Sequence, residues 1–320
     1  MLHKRPPRET FMPDSHIKPI RRILVGTGLT GESVGAVLLA RWLSEQLVAE
    51  LHAVHVISPI SPAAEQAIPG LAAKHVAQAE EELEKFASSQ DIRGFAQLHV
   101  VKGQPDVEII RLGIRLDTDL LVIGRYGRGG LKRGILGAVA DRVVRKNPTS
   151  VLVVQPEFRG PIQKIGVASA CEDNLNLELE RGLDLGRRFG LASIPMIQAY
   201  EVPAGYHMVS TYEQASAKLA EVHARIAGEQ VRRASAALAS PPKVEIQTRL
   251  GRPIEVLPKF AEESQLDLLV IGTHSRTHPA ELILDNLSES IVKRANVNIW
   301  AEKSTMETQT LRGIFRSLLD

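Results

Sequence analysis

The peptide Asp119-Leu-Leu-Val-Ile-Gly124 recurs letter for letter as Asp267-Leu-Leu-Val-Ile-Gly272. The same offset aligns Gly103-Gln-Pro105 with Gly251-Arg-Pro253. A match of this length at one offset marks two copies of one unit, which constrains the fold more than any single motif. The repeat length, about 150 residues, is too long for a solenoid or propeller repeat and is the size of a whole domain.

Each copy carries an alternating strand and helix pattern. In the first, the unbroken apolar run Ile23-Leu-Val25 ends at Gly26 and suits a strand buried on both faces of a parallel sheet. Further strands are expected around Leu51–Ile57, Leu98–Val101, Leu120–Ile123 and Val151–Val154. Between them, Val34, Val37, Leu38 and Trp42, then Val76, Ala79, Leu83 and Phe86, then Val107, Ile110 and Ile114, repeat at helical spacing. Pro59 and Pro62 impose a loop after the second strand, and a short helix near Val139–Lys146 precedes the fifth. The second copy repeats the order, with strands near Ile165–Ala168, Ile194–Ala199, Val244–Thr248, Leu268–Ile271 and Asn298–Trp300. Its first two helices are marked by Leu175, Leu179 and Leu183 and by Leu219, Val222 and Ile226; Pro258 should kink or shorten the third. The pattern predicts an α/β fold with parallel sheets and right-handed crossovers. Ligands of such sheets bind beyond the carboxyl ends of the strands, where strand order reverses, here at the loops after strands one and four. The expected organisation is a flexible arm (1–19), a first domain (20–156), a linker (157–163), a second domain (164–303) and a tail (304–320) with Leu311, Ile314, Phe315 and Leu318 on one side.

Composition excludes several classes. The 39 basic residues nearly balance the 37 acidic ones, which argues against a general nucleic-acid surface. Cys171 is the only cysteine, so there is no intrachain disulfide and no thiolate zinc cluster, and a reducing cytoplasm is the simplest setting. No apolar run reaches the ~18 residues of a membrane span, and the basic start, with Lys4, Arg5 and Arg8, lacks the apolar stretch of a secretory signal.

The strongest chemical signal follows strand four: Gly124-Arg-Tyr-Gly127-Arg-Gly-Gly-Leu-Lys-Arg-Gly-Ile-Leu-Gly137-Ala138. Glycines admit close approach of a ligand to the backbone, consecutive amides form an anion-binding concavity, and a helix start adds unpaired N–H groups. Arg125, Arg128, Lys132 and Arg133 add cations with no acid among them. The loop suits a phosphate chain. It is not a Walker A loop, because no Gly-Lys-Ser/Thr occurs. A solvated surface loop and an Arg/Gly RNA-binding tract are the competing readings.

Gly-x2-Gly-x9-Gly followed by Ser or Thr resembles the nucleotide-binding signature of universal stress proteins, and Gly124, Gly127 and Gly137 match its glycines. Leu131-Lys-Arg133, Val139-Ala-Asp141-Arg-Val143 and Val151-Leu-Val-Val154 extend the resemblance, which covers both copies from about Arg21 to Glu302, as in a tandem universal stress protein. The resemblance implies two five-stranded, mostly parallel flavodoxin-like (Rossmann-like) sheets of order 3-2-1-4-5. It also implies an internal pseudo-dimer with Val151–Val154 beside Asn298–Trp300, and a stress-protective or regulatory role. The chain departs from the family at Ala138, where a hydroxyl residue is usual, and at Gly28, where ATP-binding members carry an Asp. In the second copy Ser275, Asp285 and Asn286 replace the second glycine, the third and the hydroxyl residue, and Ala170 stands at the Asp position. An anionic Asp285 at a helix start would repel phosphate. ATP or another adenine nucleotide is therefore expected in the first domain and none in the second.

Gly26-Thr-Gly28-Leu-Thr-Gly31 is a formal Gly-x-Gly-x-x-Gly between a strand and a helix, which keeps an NAD(P)-dependent oxidoreductase as an alternative. The acid that reading needs at the end of strand two is missing: the strand ends Val56-Ile-Ser-Pro59, and Glu50 lies at its beginning. His274 and His278 have a metal-like spacing without a third ligand, and no catalytic triad or carboxylate pair is evident from spacing, so neither metal nor catalysis is expected. The candidate contacts are Gly26, Thr27 and Gly28 after strand one, Val56 against a base, and Gly124, Arg125, Gly127, Gly137 and Ala138, with Arg125 neutralising phosphate. A ligand-free interaction scaffold and a homodimer remain open.

Overall fold

Apolar runs without polar alternation need cover on both faces, and helices on each side of a parallel sheet supply it. The computed structural model describes residues 16–90, 94–127, 136–170, 176–208, 210–272 and 286–303. Its strands are β1 (Arg22–Gly26), β2 (Glu50–Ile57), β3 (Phe95–Lys102), β4 (Leu120–Gly124) and β5 (Ser150–Val154), then β6 (Ile165–Ala168), β7 (Ser193–Tyr200), β8 (Lys243–Leu250), β9 (Leu268–Gly272) and β10 (Asn298–Glu302). They form one ten-stranded sheet of order β3-β2-β1-β4-β5-β10-β9-β6-β7-β8, so each half has the order 3-2-1-4-5. Pairing is parallel within each half. The halves join through β5 and β10, antiparallel, with Val153 opposite Ile299, Leu152 opposite Trp300 and Val151 opposite Ala301. The two expected sheets are thus one. Because the join is antiparallel, the carboxyl ends of the two halves face opposite edges of the sheet.

The helices are α1 (Gly31–Leu47), α2 (Pro62–Ala67), α3 (Leu71–Ser89), α4 (Pro105–Arg115), α5 (Ala138–Lys146), α6 (Leu177–Arg188), α7 (Tyr212–Ala236), α8 (Pro253–Glu263) and α9 (Asn286–Arg294). Side chains alternate across the strands. Leu24, Leu121, Val153 and Ile299 pack with α4, α5, α8 and α9, while Val25, Val122, Leu152 and Trp300 pack with α1 and α6. Both cores run through both halves. Outside the sheet, the rings of Trp42 on α1 and Phe189 at the end of α6 lie 4.6 Å apart.

Three local expectations fail. Pro62 does not prolong a loop: Ser61 caps α2 by accepting from the Ala64 amide at 3.2 Å, and Pro62 occupies the first turn, where a missing N–H is harmless. Pro258 does not shorten α8, which spans 11 residues like α4, because Leu257, Phe260 and Ala261 hold that turn in the core. In α7 the buried positions are Ala227 and Gln230, whereas Val222 is exposed.

At the amino edge of the first half, His52 Nδ1 lies 3.2 Å from His99 Nε2, with Glu50, Arg22 and Arg115 around the pair. Desolvation, then nearby arginines and, for His99, the other imidazole, hold both pKa values below the ordinary histidine value. A folded-state pKa lowered below the unfolded one gives stability that is present above the unfolded value and lost as pH falls through the folded values. Thermal unfolding of the wild type should shift to lower temperature as pH falls from about 7.5 to 5. His52→Leu should flatten that dependence, and an unchanged slope in the variant would refute it.

Candidate functional site

β1 and β4 lie side by side, with Gly26 opposite Ile123, so the loops that follow them meet at one edge of the sheet. After β1 the chain turns within four residues into α1. The Thr27 amide donates to Val54 O at 2.9 Å. Ser33 Oγ gives its proton to Thr30 O at 2.8 Å, so at 3.0 Å Thr27 Oγ1 is the donor to Ser33 Oγ; Thr27 Oγ1 also accepts from the Leu29 amide at 3.1 Å. His55 Nδ1 lies 2.9 Å from Thr27 O; a carbonyl only accepts, so Nδ1 carries the proton. Thr30 caps α1 in extended conformation. In the first turn, hydrogen bonds from the Thr30 side chain and the residue's own amide hold the partly exposed Glu32 carboxyl below the usual range. The start of α1 therefore already has an anion.

The start of α5 offers a different chemistry. Gly137 is its cap residue and has no side chain to contribute; its amide donates to Arg125 O at 2.9 Å. The amides of Ala138, Val139 and Ala140 have no carbonyl four residues back inside the helix. Ala138 is exposed and brings no hydroxyl.

The glycines divide by what surrounds them. A Cβ on Gly124 would lie 3.2 Å from Glu32 O, and one on Gly137 would lie 3.1 Å from Arg125 O and 3.3 Å from Gly127 N. Both admit the protein's own backbone. Gly26 faces Ile109 Cδ1 at 3.1 Å, so it accommodates α4. Gly127 is exposed, with nothing among the described residues within 4 Å of a Cβ, and the partly exposed Gly28 lies on the β1 loop of the same edge. Val56 is half-buried against the core on the other side of the sheet from His55.

Arg125 requires a correction. Its side chain, 2% exposed, does not turn to the loop mouth but crosses into the second half. Nη1 donates to Val292 O at 2.7 Å and Ala295 O at 3.0 Å, and Nη2 donates to Lys293 O. These carbonyls close α9, where unpaired acceptors and the negative end of the helix dipole attract a cation. The cations Arg128, Lys132 and Arg133 lie outside the described residues.

The second half keeps the frame and changes the groups. The Ser169 amide donates to Ile197 O at 3.1 Å, as Thr27 does to Val54. Where Thr27 meets Ser33, however, Ser169 Oγ donates to Glu178 Oε1 at 2.8 Å. Glu178 is 5% exposed, and its Oε2 lies 2.9 Å from where a Cβ on Gly272 would stand. A carboxylate thus sits against the glycine that ends β9. In place of His55, Gln198 Nε2 donates to Gln230 Oε1 at 2.7 Å, and Gln230 Nε2 donates to Ala170 O at 3.2 Å. Ser275, Asp285, Cys171, His274 and His278 lie outside the described residues, and nothing is described of the Asn286 side chain.

Ser33, His55 and Glu178 were not singled out from sequence. The Thr30-x-x-Ser33 spacing is a capping signal by which Ser33 could have been found; the other two depend on which loop reaches which strand. Among the described residues, no group of three or more His, Cys, Asp or Glu could hold a metal, and no helix is long and apolar enough to cross a membrane. The carboxyl end of β2 carries Val56 and Ile57, so no acid stands there for a dinucleotide ribose.

A model of the universal stress protein family matches residues 19–155 and again 164–301. A universal stress protein of Methanocaldococcus jannaschii is 27% identical over 142 residues, covering 42% of this chain and 82% of that one. One from Mycobacterium tuberculosis is 25% identical over 201 residues, covering 57% of this chain and 61% of its own length, so the match spans about three fifths of that relative. Among solved structures, a functionally unknown protein from Pseudomonas aeruginosa PAO1 superposes with a TM-score of 0.64 at 17% identity, covering 93% of this chain and 98% of the other. A universal stress protein from Archaeoglobus fulgidus DSM 4304 gives 0.61 at 17% identity, covering 88% and 98%.

Proposed function

Because the chain belongs to the universal stress protein family, we propose that its first half binds an adenine nucleotide or a related phosphate ligand, and that its second half is a paired partner without that ligand. The observation that carries this reading is the contrast between the two edges. The first half presents the exposed backbone of Gly127 beside the α5 first-turn amides, whereas the second sets the Glu178 carboxylate against Gly272. Phosphate meets N–H donors at the first edge and like charge at the second. Gly28, Gly127, Gly137 and Ala138 supply backbone contacts, Val56 lies against the base, and Gly26, Thr27 and Gly124 shape the loops. Arg125 acts on the loop from behind. The role is binding in stress response or regulation, without catalysis, and the single Cys171 suits a cytoplasmic setting.

A second reading is a ligand-free interaction scaffold, favoured by Gly28 and Ala138, which remove an acid and a hydroxyl from the family pattern. Native mass spectrometry of the purified chain, with calorimetric titration of ATP, ADP and AMP, separates the two. The first reading expects one nucleotide per chain. An empty protein without binding heat for any of the three supports the scaffold.

A further inference from the structure

We propose that Arg125 is a positioning residue that makes the first half's ligand loop depend on the second half. This rests on the reading of that loop as the ligand site, and concerns how the site is held in shape. The backbone of Arg125 belongs to the loop: its amide donates to Val154 O at 2.8 Å and its carbonyl accepts from the Gly137 amide at 2.9 Å. Its guanidinium belongs to the other half, closing three carbonyls at the end of α9. A second tie runs beside it: Lys293 Nζ on α9 lies 2.9 Å from Asp141 Oδ1 on α5. The residue that opens the loop and the helix that closes it are therefore both fastened to the same turn of α9.

The geometry gives this a direction. The join of β5 and β10 is antiparallel, so the end of α9 lies at the first half's ligand edge while its start lies toward the second half's own edge. A shift of α9 along its axis must move Arg125, and with it the Arg125–Gly137 hydrogen bond that sets the spacing of Gly127 from the α5 amides. By linkage, a ligand that fixes the loop also fixes the end of α9, although α9 contributes no group to the site. The repeat places Thr273 at the position of Arg125, so the second half carries no guanidinium at that position.

Hydrogen exchange on the full chain tests this with and without ATP. In Arg125→Met without ligand, exchange should rise together in residues 290–296 and in residues 136–140. Lys293→Gln should give a smaller rise in the same two segments. ATP should slow exchange in 290–296 of the wild type and not of Arg125→Met, and its affinity should fall by about tenfold or more, one order per 1.4 kcal/mol. If Arg125→Met does not fold, Arg125→Lys, which keeps the charge and loses the fork, carries the same measurements. A rise confined to 290–296, or unaltered ATP affinity in the variants, overturns the proposal. A wild type that binds no ATP overturns the ligand reading instead, and the ligand-free comparison still decides whether Arg125 positions the loop.

Discussion

Glu302→Ala is expected to destabilise the chain by about 3–5 kcal/mol, the cost of leaving a buried charge without its partner. Glu302 and Arg181 are each 2% exposed. The carboxylate accepts from Arg181 Nε at 3.0 Å and Nη2 at 2.9 Å, from Trp300 Nε1 at 2.6 Å and from Ser150 Oγ at 3.1 Å. These donors sit on α6, β10 and β5, so one side chain ties both halves at the seam. Arg181 also lies over the fully buried Trp300 ring at 5.5 Å and donates to Lys18 O at 2.8 Å. Removing the carboxylate leaves a guanidinium and an indole N–H without their acceptor where water has little access. At roughly 2–4 °C per kcal/mol for a chain of this order of size, the melting temperature should fall by about 10 °C. The double variant Glu302→Leu/Arg181→Met should recover most of the loss, because a hydrophobic pair of similar volume is often neutral at such sites. Denaturant and thermal unfolding of the three chains check this. A single-variant loss below about 1 kcal/mol would show the pair to be reached by solvent.

The same seam shows what a sequence reveals and what it hides. The order of β1 to β10 was legible because branched aliphatic runs are a short-range signal and the repeat supplied them twice. The join of Val151–Val154 with Asn298–Trp300 came from family resemblance, and the register in the structure agrees with it. Inward faces were readable where a helix lies over central strands, as with Val34 and Val37 of α1 over β1 and β4. They were misread in α7, which covers β7 and the edge strand β8, where a wide face stays in solvent and Val222 is exposed. Arg125 failed for a different reason. Its partner carbonyl at Val292 is 167 residues away, and a backbone carbonyl has no side-chain signature, so an arginine beside a glycine loop pointed to phosphate. Glu178 was hidden because the loop that returns it to Ser169 has no periodicity that fixes where its first helical turn begins.

Gly127→Asp is expected to weaken nucleotide binding in the first half about 100-fold while leaving the fold intact, and the environment of the residue makes the two effects separable. Among the described residues, a Cβ at Gly127 meets nothing within 4 Å, unlike one at Gly124 or Gly137, so a side chain there displaces none of the described backbone. Gly127 has no left-handed φ, so an L-residue is not strained. A carboxylate beside the α5 first-turn amides would compete for the donors assigned to phosphate and repel it. Two unit charges about 4 Å apart near a protein surface interact by about 4 kcal/mol, and solvent and side-chain freedom reduce this. A fall in affinity of about 100-fold, or ~2.7 kcal/mol, is the expected outcome. Gly127→Asn has nearly the same volume without the charge and should lose far less, and raising the salt concentration should narrow the gap between the two variants. Calorimetric titration with ATP, set beside thermal unfolding of each variant, gives the comparison. Equal losses in Asp and Asn would mean that shape governs the loop, and undiminished binding in Gly127→Asp would move the ligand away from this edge of the sheet.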